Sequence, residues 1–328
     1  MPASANQKKK HHYTPVTYLK GFTDSTGRVF AFRKDKPEAA LHKLPEDIGF
    51  ENYYYSQPLP NGGRDNNTLE DFFSTIESPW PQIIERLRTR TETGGDFLPL
   101  ITFLMLQRVR VPCARDAVEL KLAAVMKASA RVLDRMGKLP PKPAGHDDIL
   151  DKLEVLIDPH KSLEAMMHLA TGFERVVSAL TFEVLHNETG LDFLTSDNPV
   201  AVFDPSVAEV QMQPYRLRRD LRSIELLFPL TSRLMLRGTA GLRFKSGVTH
   251  GTIASDQEIK RMNRLGAKFA YRIVFASSED HSPLIRKHAA HSPVSKLEHW
   301  QEGKVGEMTM QTSVFGPRPT KPKWRGAA

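Results

Sequence analysis

Cysteine is almost missing from this chain: Cys113 is the only one in 328 residues. No intrachain disulfide and no cysteine-based zinc centre can form. Long apolar runs are missing as well. Stretches such as Phe103–Leu106 fall far short of the ~20 residues that cross a bilayer. The amino terminus, M-P-A-S-A-N-Q-K-K-K, lacks the apolar segment of a secretory signal, so a cytoplasmic protein without membrane contact is the expectation. There is no internal repeat, and no P-loop, G-x-G-x-x-G, H-E-x-x-H, G-x-S-x-G or EF-hand pattern. The common nucleotide, zinc-protease, serine-hydrolase and calcium signatures therefore give no lead.

What is present is a 40% hydrophobic composition, enough for a sizeable core, and a net charge of +8. The charge lies at the ends. Lys8, Lys9 and Lys10 face no acid within the first ten residues, and Lys304, Arg318, Lys321, Lys323 and Arg325 face only Glu307 after residue 302. The body is left nearly neutral, which argues against a nucleic-acid surface there and confines that partner to the basic tails.

Along the chain, Thr14-Pro15 reads as a helix start, with Tyr18, Leu19 and Phe22 at helical spacing and Gly21 as terminator. Arg28–Arg33 alternates as a strand, a second strand is expected near Ala40–Leu44, and the Tyr53-Tyr54-Tyr55 run packs a small sheet against helices or offers a stacking platform. Asn67 with Glu70 has the form of a capping box. The helix it opens carries Leu69, Phe72, Phe73 and Ile76, breaks at Ser78-Pro79, and resumes through Ile83, Ile84 and Leu87. Asp96 is expected to cap a central helix that is apolar nearly all round and ends in Q-R-V-R-V-P, with Gln107 and Arg110 on one face.

A long helix follows over Arg115–Met136, then a Gly/Pro-rich linker from Gly137 to Gly145. A helical stretch from His146 to Ile157 is expected. Another runs from Asp158-Pro159 to about Glu188, striped by Leu163, Met167, Ala170, Phe173, Val177, Leu180 and Val184.

Beyond Gly190 the period changes to strands at Leu191–Thr195, Val200–Phe203, Ser223–Phe228, Leu234–Arg237 and Ala270–Phe275, with one helix at Asp256–Gly266. The basic run 215–222 reads as a solvated loop. His281, His288, His291 and His299 lack metal-site spacing and read as solvated too.

The expected architecture is α+β: a mainly helical middle over about 67–188 packed with a small mixed or antiparallel sheet built from the N-terminal and C-terminal parts. One domain over 11–276 would follow a disordered basic arm at 1–10, with an extension at 277–302 and a disordered basic tail at 303–328.

The stretch with the strongest local restraints is F-L-T-S-D-N-P-V, Phe193–Val200. Its proline forbids helix at the preceding residue, so a strand should deliver Asp197 and Asn198 to a rim. Three motifs, H-Y-x-P-x-x-Y-L-x-x-F at His12–Phe22, Q-x-x-R-x-P at Gln107–Pro112 and S-D-N-P at Ser196–Pro199, make the chain resemble the domain of unknown function 4238 family. Weaker similarity covers Glu51-Asn52 and Phe228-Pro229-Leu230. The resemblance spans about 11–276 and implies no established activity.

Two readings follow, and the sequence does not decide between them. In the first, a hydrolase acts on a phosphate-containing substrate: His12, Glu51 and Asp197 are catalytic, Asp197 and Glu51 hold a divalent cation, and Gln107, Arg110 and Asn198 bind substrate. In the second, the chain is a non-enzymatic binding or interaction module in which these polar residues form a buried structural network.

Overall fold

The computed structural model describes residues 7–60, 62–241, 247–304 and 306–320, without the side chains of Met166 and Met167. The chain opens with strand β1 (Lys10–His12) and helix α1 (Val16–Leu19). Strands β2 (Val29–Arg33), β3 (Ala40–Lys43), β4 (Phe50–Asn52), β5 (Gln57–Pro58) and β6 (Arg64–Asp65) follow. Helices α2 (Thr68–Glu77), α3 (Trp80–Thr89), α4 (Gly94–Val109), α5 (Pro112–Arg135), α6 (Ile149–Lys152) and α7 (Pro159–Val177) form the middle. Next come strands β7 (Leu180–Asn187), β8 (Thr195–Ser196), β9 (Ala201–Phe203), β10 (Glu225–Pro229), β11 (Leu234–Ala240) and β12 (Val248–Ile253). Helix α8 (Asp256–Phe269), strand β13 (Ile273–Ala276), helix α9 (Ser282–Lys287) and the hairpin β14 (Ser292–Glu302) with β15 (Gly306–Gly316) complete the order. The fold is α+β, with the helical middle the sequence implies.

Two sheets carry the architecture. One runs β12-β7-β11-β10-β9, antiparallel except for the parallel β12–β7 pair. The other runs β3-β2-β13-β8 and is antiparallel throughout, so N-terminal strands pair with C-terminal ones, as expected. Helix α4 sits against the larger sheet because it is apolar on every side: Leu100, Phe103 and Leu104 are buried together with Leu226, Phe228 and Leu236. Phe103 stacks on Trp80 with ring centroids 3.8 Å apart, and Tyr18 lies parallel to Phe228 at 5.5 Å. Each such side chain contributes roughly 1.5–3 kcal/mol by leaving water.

Several local expectations fail for identifiable reasons. Helix α7 stops at Val177, and Leu180 and Val184 belong to β7 instead. They fit the helical stripe by spacing, but from Leu180 to Val184 buried and half-buried residues alternate at period two, which suits a strand sandwiched between β11 and β12. The stretch His146–Ile157 forms helix only over Ile149–Lys152. Asn67 makes no side-chain cap; the Asp65 carboxylate accepts the amides of Asn67 and Thr68 instead. Phe72 is 50% exposed, so it is off the buried stripe that Phe73 occupies. Thr93 is the cap of α4, and Asp96 is its partner in a capping box.

The C-terminal segment departs most. Disorder was the expectation after residue 302, yet Gly306–Gly316 pairs along its whole length with β14 and packs on α5. Part of the basic arm is ordered as well, since Lys8 pairs with Asp71 and Lys10 joins β1 and pairs with Asp47. Residues 1–6 of that arm and Lys321, Lys323 and Arg325 of the tail lie outside the described residues. Among the described residues no single helix is long and apolar enough to cross a membrane; α4 and α5 pass that test only as a pair bent by 52°.

Candidate functional site

The Phe193–Val200 stretch does not reach a rim. Short strand β8 pairs with β13, and Asp197, fully buried, follows it into the interior. Its carboxylate accepts the backbone N–H of Tyr271 at 2.9 Å and that of Arg272 at 2.8 Å, while its own N–H donates to the Ile273 carbonyl at 3.1 Å. Asp197 therefore shapes the turn that leads from α8 into β13. Burial pushes its pKa above the ordinary carboxylate value, opposed by the Arg272 amide and guanidinium and the Tyr271 amide.

Asn198 is equally enclosed. Its side-chain nitrogen donates to the Tyr215 hydroxyl at 2.6 Å and to the Phe269 carbonyl at 2.7 Å, the last residue of α8. Pro199 keeps the chain extended after this turn, and Val200 returns it to the core.

The Arg272 side chain carries the connection outward. Its guanidinium binds Glu51 on β4 and approaches Asp116 on α5 at 3.6 Å, and the Tyr271 hydroxyl donates to Asp116 at 2.8 Å. Asp197 and Glu51 are thus brought into one network, but through an arginine. These donors do not fit a divalent cation. The guanidinium occupies the position a cation would take at Glu51, and both Asp197 oxygens already accept amide hydrogens. Among the described residues no group of three or more His, Cys, Asp or Glu residues could hold a metal ion.

His12 is separate. Its Nε2 lies 3.3 Å from the Glu46 carbonyl oxygen, its ring packs on Phe50, and burial favours its neutral form. The neighbouring His11 is the fully buried one: it accepts the Tyr55 N–H at Nδ1, 2.7 Å, which leaves Nε2 to donate to the Lys8 carbonyl at 3.2 Å.

Arg110, 1% exposed, binds Glu77 through Nη1, the His12 carbonyl through Nη2 and the Tyr55 hydroxyl through Nε, and lies 4.6 Å over the Phe73 ring. All three guanidinium nitrogens are bonded within the core, so the side chain clamps α4, α2 and β1 together and is closed off from solvent. Gln107 is fully buried, and neither amide atom meets a protein partner among the described residues.

The motifs also meet one another. The Tyr18 hydroxyl donates to the Pro229 carbonyl at 2.7 Å and takes the Thr195 hydroxyl at 2.6 Å, so H-Y-x-P-x-x-Y, F-P-L and F-L-T-S-D-N-P close on a single buried phenol. Tyr54 and Tyr55 are buried with Tyr13 and Phe73, as packing requires, whereas Tyr53 is 44% exposed. Sequence reasoning missed Arg272, Asp116, Tyr271, Tyr215 and His11. The only local hint was the polar Tyr-Arg pair at the head of an otherwise apolar strand.

No curated protein and no solved structure matches the chain. The family model that matches, over residues 10–280, is described as a protein of unknown function, and the chain belongs to that DUF4238 family.

Proposed function

We propose that the chain is a non-enzymatic binding or interaction module of the cytoplasm whose polar motif residues hold the fold together. The observation that carries this reading is the enclosure of Asp197, whose carboxylate is spent on the amides of residues 271 and 272. A hydrolytic carboxylate must reach water or substrate, and a general base must lie within hydrogen-bond distance of the proton it takes. Asp197 meets neither condition. Arg110 has its guanidinium bonded inside the core, and the His12 ring faces the Glu46 carbonyl.

The test separates this reading from a metal-assisted phosphate hydrolase. Asp197→Ala orphans two amides, each costing about 1–3 kcal/mol, and should lower the melting temperature by several degrees. Phosphodiester turnover with magnesium or manganese should be absent from the purified chain. Unchanged melting of Asp197→Ala overturns the structural role. Turnover that Glu51→Gln removes without changing the melting temperature restores the hydrolase.

A further inference from the structure

A cavity remote from the S-D-N-P network is lined by charged side chains and a tryptophan. It measures about 420 Å³ and lies between the end of α5, the segment 142–151 with α6, and the adjoining ends of strands β14 and β15. That volume falls within the range of small-molecule sites. The hairpin residues on its wall, His299, Trp300, Gln301 and Glu307, lie beyond the family match at 10–280.

Charge decides what the cavity can take. Three cations line it, and each is committed to a carboxylate. Lys142 binds Asp134 at 2.7 Å; Arg131 binds Asp151 Oδ1 at 2.8 Å and Glu307 at 2.9 Å; Arg135 binds Glu307 at 2.7 Å. A fourth lining carboxylate, Asp147, is exposed and has no ion pair or hydrogen bond among the described residues. Asp151 offers Oδ2, because Arg131 uses only Oδ1. Gln301 spends its amide nitrogen on the Gly303 and Lys304 carbonyls, which leaves its oxygen as an acceptor. Asp147, Asp151 and Gln301 thus each present an uncommitted acceptor oxygen to the cavity.

Beside them on the cavity wall stands Trp300, a residue 42% exposed. An exposed tryptophan face next to carboxylates favours a cation, because the ring quadrupole and the carboxylates both attract positive charge. An anion would have to compete for Lys142 with Asp134, or for Arg131 and Arg135 with Glu307, whose side chain is only 5% exposed.

We infer that this cavity binds a small organic cation, an alkyl amine or guanidine, with its charged end at Asp147 and its stem against Trp300. The inference gives the proposed binding module a ligand and rests on that reading. The two tests are separable, since one reads the melting of Asp197 variants and the other reads binding by variants of exposed residues.

Agmatine is a suitable probe, titrated calorimetrically into the full chain with inorganic phosphate as the anionic control. Saturable agmatine binding is expected, weakened about tenfold in Asp147→Asn by loss of one charge-assisted hydrogen bond, and weakened again in Trp300→Leu. Both variants should melt with the wild type, because both side chains are exposed. No saturable agmatine binding at millimolar concentration overturns the inference. Binding that both variants retain in full overturns it too, as does phosphate binding that agmatine fails to displace.

Discussion

Asp197 holds the backbone of Arg272 at 2.8 Å, and the guanidinium of the same arginine binds Glu51, 221 positions earlier in the chain. One residue is thus fixed at its main chain by the S-D-N-P motif and at its side chain by the N-terminal two-stranded sheet β1–β4. The two ends differ in worth. Around Asp197 the contact is buried, whereas the Glu51 side chain is 42% exposed and the Arg272 side chain 25% exposed.

That difference is measurable. Glu51→Gln should cost no more than about 1 kcal/mol, since a half-exposed ion pair is screened by solvent. Asp197→Ala should cost several times that. Chemical denaturation of the two variants and their double mutant gives the comparison. A larger loss from Glu51→Gln would mean that the ion pair, and not the buried turn, ties the β1–β4 sheet down.

Arg110→Lys probes the other clamp. Lysine keeps the charge but lacks the planar fork that reaches Glu77, the His12 carbonyl and the Tyr55 hydroxyl together. Because the site is 1% exposed, lost bonds are not replaced by water, and about 2–4 kcal/mol should disappear. The melting temperature should fall well beyond that of Glu51→Gln. Equal melting of Arg110→Lys and wild type would show that charge alone suffices there.

Parts of this arrangement were legible in the sequence. Helix α4 announced itself because apolar residues covered all its faces, and the break at Ser78-Pro79 followed from proline sterics. The placement of Asp197 at a rim was not right, because Asp-Asn-Pro specifies a turn without saying which side of the sheet it faces. Arg272 was invisible for a related reason: only the register of β13 between β2 and β8 brings it to Glu51. Likewise the β14–β15 hairpin is mostly half-exposed and polar, so its stability comes from pairing and from α5, neither of which leaves an apolar pattern.

Gly238→Ala tests the larger sheet. Gly238 on β11 lies between Leu226 of β10 and Phe182 of β7, and a Cβ there would meet Leu180 Cδ1 at 2.9 Å and Phe182 Cε1 at 3.1 Å. The added methyl has to displace packed side chains, at a cost of about 1–3 kcal/mol. Denaturant titration should show a lowered midpoint with an unchanged slope. A stabilised variant would mean that these neighbours rotate away freely, contrary to a close-packed core.

His288 should set part of the acid sensitivity. It is 8% exposed, it closes α9, and neither ring nitrogen has a partner among the described residues, so its expected solvation does not hold. Burial, then the charges of His291, Lys268 and Lys287, lowers its pKa from 6.5 to about 4, with Glu209 alone opposing. The folded ring stays neutral where the unfolded one takes up a proton. Between pH 6.5 and about 4 the unfolded chain therefore binds more protons, and stability falls as the pH drops through that window. His11, whose pKa is also lowered by burial, adds a loss of the same sign. Replacing His288 by leucine removes its share while keeping the apolar contact. The melting temperature of His288→Leu should then decline less than that of the wild type between neutral pH and about pH 5. Parallel declines would assign the acid sensitivity of the fold to groups other than His288.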